Sequence, residues 1–429
     1  MPSWRTRDVW AISGSACLAD LGYQSVLAGF PIFLVLVLHQ PVWLFGLASA
    51  LSYGGGAVFS WVGGRLGDRI GHRKLALMGN AAIPLLSLSA LVASPAVAIG
   101  LLSGGWWARN LRSPSRRVML TEAVPREEDR APAFGFLHAL DIGGGVLAAV
   151  YVLIALGSHL QFRWLFLATA IPLAMSTALL SRAGTGRGAG RRVKPATSSP
   201  GSPDPSGGTP TGAVTASPEV SGSASMGVTE RRLPGAKALL AATALYGFTS
   251  YSVGFPVLTL AQASHRSLVG IAAFLVFQAV SALTGFFLGS RLGRSVSEHF
   301  RNLALLGYMT AGAGAALMAV GYATGLGAGV LMLAVAIIGF ALGIVETLEP
   351  SVMSVLRPGA ASGRGFGALS AYRSVGVFVG NLAMGLLYGV SASWAYGYAA
   401  AVAVGAAVVI LAVVPAVTRA ERVMPVPGH

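Results

Sequence analysis

The stretch "GRLGDRIGHRK" at residues 64–74 places four basic side chains, one aspartate and one histidine within eleven positions. Charged residues make up only 10% of this 429-residue chain, and long apolar runs flank the stretch on both sides. Charges are costly inside a bilayer, so a dense charged group between two apolar runs indicates a short loop at a membrane surface. The stretch therefore separates two predicted membrane helices.

The composition of the whole chain supports the same interpretation. Hydrophobic residues account for 54% of the sequence, and the mean hydropathy is +0.68. A chain of this size has too little polar surface to form a water-soluble globule, so we expect an all-α integral membrane protein. A helix of about 20 apolar residues crosses a bilayer. Twelve such runs cover residues 9–37, 41–66, 73–93, 95–122, 130–157, 161–182, 235–262, 265–290, 300–322, 326–355, 363–390 and 394–418.

The net charge of +15 reflects membrane topology rather than binding of nucleic acid. Arginines are concentrated before the first predicted helix, after the last one and on alternate connections, whereas the intervening connections contain little beyond Arg163 and Arg266. Basic side chains favour the cytoplasmic side of a membrane. We therefore expect a multi-pass protein of the plasma (inner) membrane, with both termini in the cytoplasm and with contacts to anionic lipid.

The two halves of the chain resemble each other, which indicates a duplication. "LGYQSVLAGFPI" at 21–32 matches "YGFTSYSVGFPV" at 246–257, and "LGDRIG" at 66–71 matches "LGSRLG" at 288–293. Between the halves, a segment rich in Gly, Ser, Pro and Thr has no apolar periodicity, which is typical of a flexible linker. The expected organisation is a six-helix bundle at 1–182, a cytoplasmic linker at 183–234, a second six-helix bundle at 235–418 and a cytoplasmic tail at 419–429.

Two six-helix bundles in parallel repeat are typical of transporters in which a cavity lies between the bundles near the membrane midplane. The chain also resembles the major facilitator superfamily, because the stretch at 64–74 has the glycines, the aspartate and the basic residues of that family's loop between its second and third helices. The resemblance covers nearly the whole chain. It implies the fold of that family, with twelve transmembrane helices and a monomer as the default state, and it specifies no substrate.

The resemblance also implies a role for the charged loop. By that comparison Asp68 faces the start of the eleventh helix near residues 363–366, where unpaired backbone N–H groups favour a carboxylate. Arg69 and Arg73 would then hold neighbouring helix ends. A loop that only anchors the protein by its positive charge is the alternative. We expect a cytoplasmic gate, closed when the cavity opens outward, made of Gly64, Asp68, Arg69, Gly71 and Arg73.

Ionisable residues inside the predicted helices are the main candidates for function, because such groups need partners or water within a bilayer. A count from the helix ends places Arg112 of the fourth helix level with Asp141 of the fifth. The second half reverses the signs, with Arg373 at the position that corresponds to Asp141 and with Glu346 and Glu349 on the tenth helix. We expect Arg112 to pair with Asp141, and Arg373 with Glu346 or Glu349. Such pairs either stabilise the fold or couple charge movement to transport.

Asp20 is the least compensated acid, since no basic residue lies within two turns of it on its own helix. It is the first candidate for a proton carrier, and a structural bond to a neighbouring helix is the alternative. Arg109 lies on the same helical stripe as Arg112 and is a further candidate for charge coupling. Candidates for the lining of a substrate cavity are Tyr23, Gln24, Trp106, Trp107, Asn110, His138, Tyr246 and Tyr251.

The expected function is secondary active transport of a small organic solute by alternating access, coupled to protons and directed outward as efflux of a drug or metabolite. The chain has no phosphate-binding loop for ATP, and a proton that crosses the membrane releases about 2.3 kcal/mol per 100 mV. The deep arginines also fit proton-linked transport of an organic anion, and Ala148 and Ala149 stand where export branches of the family carry a Gly-Pro pair. A membrane sensor or scaffold that transports nothing is a third alternative.

Enzymatic chemistry is not indicated by the sequence. No nucleophile–base pattern or metal-ligand spacing occurs, and the histidines are scattered along the chain. We therefore expect no enzyme activity, no metal site and no cofactor.

Overall fold

The computed structural model describes residues 4–124, 126–184, 235–249, 251–288, 295–356 and 362–423. These residues form helices and connections, with no β-strand among them. The helices are α1 Arg7–Val37, α2 Val42–Ile70, α3 His72–Leu91, α4 Pro95–Ala123, α5 Glu127–Gly157, α6 Phe162–Ser181, α7 Ala236–Ser264, α8 Ser267–Leu288, α9 Val296–Ala323, α10 Ala328–Leu356, α11 Ser362–Val390 and α12 Ala392–Val423.

Within the described residues, eleven of these helices have a stretch long and apolar enough to cross a membrane. The exception is α4, whose second half contains four arginines. Two of them point into the protein, since Arg112 is 1% exposed and Arg116 is 5% exposed. Helix α4 also packs along α2 and α3. The two buried charges therefore meet protein groups instead of lipid, and α4 completes the predicted set of twelve helices.

The two halves repeat the same helix packing. Helix α1 packs against α5 and α6, and its counterpart α7 packs against α11 and α12. Helix α2 packs against α4 in the same way as α8 packs against α10. The parallel repeat that was predicted from matching sequence segments is therefore present in the packing.

Helix ends agree with the predicted spans to within four residues, except at the end of α12. That helix continues to Val423, beyond the predicted end of the span at 418, and a cytoplasmic tail from 419 stays a prediction. The extension is fixed by Glu421, whose carboxylate accepts hydrogen bonds from the backbone N–H groups of Val296 (2.5 Å) and Ser297 (3.2 Å) at the start of α9. Nearly all of the predicted linker, from 185 to 234, lies outside the described residues, and so do residues 424–429.

The two halves meet closely at one end of the bundle. We call the end near the start of α1 and the end of α12 the terminal face, and the other end the opposite face. At the opposite face, a Cβ on Gly46 of α2 would come within 2.7 Å of the Asn381 carbonyl oxygen and of the Gly385 Cα, both on α11. Phe45 packs there against Phe255 of α7, with ring centroids 5.0 Å apart. The opposite face is therefore sealed.

At the terminal face the halves are separated. A Cβ built on Gly64 of α2 would have no described heavy atom within 4 Å. The Asp68 side chain at the end of α2 is 74% exposed, and the Glu346 side chain of α10 is 60% exposed. The space between the halves is thus open towards the side that carries the chain ends.

Several helices depart from regular α-helical geometry near the space between the halves. Helices α1, α2 and α9 contain π-helical turns at Phe33–Val37, Ala50–Gly54 and Leu303–Met309. Helix α7 consists of two parts, Ala236–Thr249 and Gly254–Ser264. Between them the backbone N–H of Ser252 donates a hydrogen bond to Asn381 Oδ1 at 2.8 Å. Of these irregular segments, the turn in α2 and the break in α7 supply side chains to the central cavity, namely Tyr53, Tyr251, Ser252 and Val253.

Candidate functional site

A cavity of about 280 Å³ lies between the two halves. Helices α1, α2 and α4 line it on one side, and α7, α8, α10 and α11 on the other. Its aromatic lining comprises Tyr53, Trp106, Tyr246, Tyr251, Phe274 and Phe277. Two amides, Gln24 and Gln278, and two charged residues, Glu346 and Arg373, also line it. The cavity is therefore lined mainly by aromatic and aliphatic side chains, with a few polar groups in its walls.

Four of the side chains predicted to line the cavity do so: Gln24, Trp106, Tyr246 and Tyr251. Three of them, Gln24, Tyr246 and Tyr251, lie on α1 and α7 within the two stretches that match in the duplication. The sequence comparison therefore located the helix segments that meet at the cavity.

The other four predicted lining residues contact protein elsewhere. Tyr23 is buried and accepts a hydrogen bond from Arg109 at 3.3 Å. Trp107 donates to the Leu51 carbonyl at 2.8 Å, and Asn110 donates to the Trp106 carbonyl at 2.9 Å. His138 is an exposed residue of α5 outside the cavity lining. For Tyr23 and Trp107 the neighbouring positions, Gln24 and Trp106, face the cavity instead. The depth of a residue along a helix, counted from the sequence, does not fix the direction of its side chain around the helix.

The sequence analysis missed several lining residues, among them Tyr53, Phe274, Phe277 and Gln278. Gln278 was detectable, because it is a polar residue in the middle of the otherwise apolar helix α8. Tyr53 was not, because it lies in the π-helical turn of α2, where the usual helical spacing does not apply.

In the first half, the pairing of Asp141 differs from the prediction. Arg116 donates to Asp141 Oδ2 at 3.0 Å. Arg112, the predicted partner, instead donates from Nη1 to the Asn80 side-chain oxygen of α3. The prediction of an Arg112–Asp141 pair is wrong, because counting residues from helix ends ignored both the acceptor on α3 and the reach of Arg116 from the next turn.

Asp20 lies beside the same ion pair. It is 4% exposed, and its carboxyl group is close enough to the Asp141 carboxyl group for the two to interact electrostatically. A close helix contact creates this arrangement, since a Cβ on Gly144 of α5 would come within 2.8 Å of the Asp20 Cβ. The sequence correctly showed no basic partner on α1, but it did not show that the neighbour on α5 is a second acid.

The second half contains the pair that was predicted. Arg373 of α11 donates from Nη2 to Glu349 of α10, and its Nη1 lies 3.5 Å from Glu346 Oε1. Glu349 is fully buried and also accepts a hydrogen bond from the Tyr308 hydroxyl at 2.5 Å. The Tyr308 ring stacks on Tyr246, with centroids 4.8 Å apart. Both glutamates therefore contact the arginine, one behind the cavity wall and one in it.

The charged loop is held partly by helix ends of its own half. The backbone turns between α2 and α3 at Gly71, whose φ is +95°, a value that favours glycine. Arg73 donates to the carbonyl groups of Ser181 at 2.6 Å and of Ala183 at 3.0 Å, beyond the end of α6. Asp68 Oδ1 lies 3.3 Å from His72 Nε2. The predicted contact of Asp68 with the backbone N–H groups near residues 363–366 is not among the described contacts, so it stays a prediction.

A duplicated bundle of membrane helices with a cavity at the interface of its halves defines a membrane transporter. The sequence model of the Major Facilitator Superfamily matches residues 12–381. The chain belongs to this family. No curated protein sequence matches it.

Solved transporter structures share the fold. A point variant of the nucleoside transporter NupG superposes with a TM-score of 0.68 at 14% identity, and the match covers 95% of this chain and 99% of that one. A POT family transporter in complex with 5-aminolevulinic acid gives 0.68 at 13%, covering 96% and 97%. A D-xylose–proton symporter gives 0.65 at 13%, covering 94% and 97%. At these identities the similarity is one of fold.

Proposed function

We propose that this protein is a proton-coupled secondary transporter that exports a small organic solute by alternating access. The cavity between the halves supports this proposal, since it is sealed at the opposite face and open at the terminal face. The distribution of arginines supports a cytoplasmic position for the terminal face. In this assignment the structure represents an inward-open state, in which a solute enters the cavity from the cytoplasm before export.

The lining of the cavity supports a small organic solute. Ligand pockets of proteins have volumes of roughly 300–1,000 Å³ and are mostly apolar with a few polar groups. The cavity described here, at about 280 Å³, is near the lower limit of that range. Its rings offer apolar contact area, and the side-chain amides of Gln24 and Gln278 offer both donors and acceptors.

The proximity of the buried Asp20 carboxyl group to Asp141, across the close approach of α1 and α5, is the single observation that carries proton coupling. Two carboxylates in contact repel each other, and one proton shared between them removes the repulsion. Asp141 is 25% exposed and bound by Arg116, whereas Asp20 is deeply buried. We propose that a proton enters at Asp141, is shared with Asp20 and loosens the bond between Asp141 and Arg116. Helices α1, α4 and α5 thereby respond to the proton.

The arginines of α4 do not favour the alternative of an organic anion as substrate. Among the described residues, none of Arg109, Arg112 and Arg116 lines the cavity. Arg109 donates to Tyr23 and lies 5.0 Å from the centroid of the Trp106 ring. The other two bind Asn80 and Asp141, as described above. The positive charges that suggested an anion are therefore engaged inside the first half.

Purified protein in proteoliposomes with an internal pH indicator tests the proposal. Benzyltrimethylammonium, benzenesulfonate and N,N-dimethylbenzamide serve as solutes of similar size and different charge, with the proton gradient imposed in either direction. We expect one class of solute to move against the proton flux. Asp20→Asn and Asp141→Asn should abolish the solute-dependent pH change, because an amide cannot carry the proton.

Asp8→Asn is the matched control, since Asp8 lies in the first turn of α1 and accepts a hydrogen bond from the Gly184 backbone at 3.1 Å. It should behave as the wild type. Solute movement in the same direction as the proton would contradict export by antiport. An unchanged pH signal in both Asn variants would contradict the role of the carboxyl pair.

A further inference from the structure

We propose that the cavity selects organic monocations and that Glu346 binds the positive charge of the solute. This inference rests on the proposed function and adds a substrate class to it. It follows from how the charges of Arg373, Glu346 and Glu349 are distributed between the cavity and the protein behind it.

Glu349 neutralises Arg373 from behind the cavity wall. Its two carboxylate oxygens are both used, one by Arg373 Nη2 and the other by the Tyr308 hydroxyl at 2.5 Å. Glu349 is fully buried, so no water competes for these bonds. A buried ion pair with both oxygens satisfied is a stable partner for the guanidinium.

Glu346 is then left with a surplus negative charge. Its contact with Arg373 Nη1 is 3.5 Å, at the long limit for a hydrogen bond, and its side chain is 60% exposed. Glu346 and Arg373 are the two charged residues among the described residues that line the cavity. Because Arg373 is already balanced by Glu349, the three charged groups sum to a net charge of −1 that faces the cavity.

The aromatic lining complements this charge. Tyr and Trp rings attract cations through their negative faces, most strongly where water is excluded. Tyr246 and Tyr251 lie on α7, and Tyr53 and Trp106 lie across the cavity on α2 and α4. A solute with an ammonium group and an aromatic or aliphatic body can therefore place its charge at Glu346 and its body among these rings.

An anionic solute would be repelled at the same site. It would approach the exposed carboxylate of Glu346, and the guanidinium that could attract it is bonded to Glu349. An ammonium group, in contrast, replaces Arg373 Nη1 at Glu346 while Arg373 keeps its bond to Glu349. The site therefore discriminates by charge, through repulsion of anions as well as attraction of cations.

Binding to the purified full-length protein, measured by isothermal titration calorimetry, tests the inference. The probes are benzyltrimethylammonium, neutral N,N-dimethylbenzamide and anionic benzenesulfonate. We expect the cation to bind at least about tenfold more tightly than either of the others. Glu346→Gln should remove this preference by weakening the cation at least about tenfold while leaving the affinity for the neutral probe unchanged.

Two further variants control for folding and for bulk charge. Glu346→Asp keeps the carboxylate and should retain the preference for the cation. Glu122→Gln removes an acid from α4 outside the cavity lining and should bind all three probes as the wild type does. Equal affinities for the three probes, absence of cation binding, or undiminished cation binding by Glu346→Gln would each overturn the inference.

The outcome is separable from that of the proton-coupling experiment. Asp20→Asn leaves Glu346 in place, so it should keep the preference for the cation over the neutral and anionic probes. Loss of coupling in Asp20→Asn with intact charge preference supports both proposals. Charge-independent binding together with intact coupling overturns only the assignment of the substrate class.

Discussion

The partner of Arg112 is an amide, which is unusual for a fully buried cation. Arg112 is 1% exposed and donates to the Asn80 side-chain oxygen, while the Asn80 amide nitrogen donates to Ser176 at 3.0 Å and to Thr177 at 2.8 Å. Asn80 thus joins α4 to α3 and α6. A buried charge without an acceptor is far more costly than a buried neutral group.

Asn80→Leu should therefore destabilise the first half of the protein. The substitution removes the oxygen that accepts from Arg112 and leaves a buried guanidinium without it, at a cost of about 3 kcal/mol. Thermal unfolding of the detergent-purified variant should show a clearly lower midpoint. Thr121→Ala is the control, since that hydroxyl bonds only to the Arg117 carbonyl of its own helix. Equal midpoints for the two variants would contradict the role given to Asn80.

Individual pairs were predictable where the duplication aligned them. The correspondence between the halves matched Arg373 to Asp141 and matched the helix with Glu346 and Glu349 to α4, so that either glutamate was a predicted partner of Arg373. The same method paired Arg112 with Asp141, which is wrong. Depth along a helix can be read from the sequence, but the direction of a side chain around the helix and the length of an arginine decide between neighbouring partners.

At the scale of helices, the contact between α2 and α11 closes the opposite face. Gly46 and Gly385 allow the two backbones to approach more closely than any other residue would. Interfaces of membrane helices are stabilised by this kind of close packing. A side chain at Gly46 would push α11 away from α2.

Gly46→Leu should therefore open the sealed face. A Cβ there would already overlap the Asn381 carbonyl oxygen and the Gly385 Cα. In a Cys17→Ser background with Thr249→Cys as a reporter beside the cavity, a membrane-impermeant maleimide added outside intact cells should react at least about tenfold faster than without Gly46→Leu.

Gly100→Leu provides the matched control on α4. A Cβ on Gly100 would have no described heavy atom within 4 Å, so a larger side chain fits there. In this control, the cysteine at position 249 should react with the maleimide at the same rate as in the protein without a substitution at Gly46. If Gly46→Leu also labels at that rate, the glycine contact does not hold the opposite face closed.

The positions of the helices were predicted from the lengths of the apolar runs in the sequence. Their ends were predicted from the charged and turn-forming residues between these runs. Even α4 was predicted with the correct bounds, although its arginines make it too polar to be recognised as a membrane span by composition. The π-helical turns and the break in α7 were not predicted. They depend on packing against the other half, such as the bond from Ser252 to Asn381, which a single helix sequence does not contain.

At the scale of the whole molecule, alternating access requires the terminal face to close when the opposite face opens. The loop between α2 and α3 lies at that face, and Asp68 is free to form the predicted contact with the start of α11 when the halves approach. The 74% exposure of Asp68 in the open arrangement is consistent with a group that is used only in the closed one.

Asp68→Asn should accordingly leave stability unchanged and reduce transport. An exposed side chain contributes little to the folded state, so the midpoint of thermal unfolding should match the wild type. Solute flux in proteoliposomes should fall at least about tenfold, because the closed terminal face loses a charged contact. Glu122→Gln is again the control. Wild-type flux from Asp68→Asn vesicles would exclude a gating role.

The sequence allowed the duplication, the twelve helices and the family to be recognised, because these depend on patterns repeated along the chain. It could not specify which face is open, since one sequence encodes every state of the transport cycle. The cavity lining was only partly predictable for a related reason: it is formed by six or more helices at once, and their relative rotation is decided when the halves come together.

The π-helical turn at Ala50–Gly54 has a consequence for the movement of α2. Such a turn holds one residue more than an α-helical turn, and one residue corresponds to a rotation of about 100° around the helix axis. If the π-helical turn moved to another position along α2, the helix between the old and the new position would rotate by that angle about its axis. Its backbone hydrogen bonds would then be exchanged one at a time. Tyr53 would then leave the cavity, so the side chains that face the solute would change without any break in the helix.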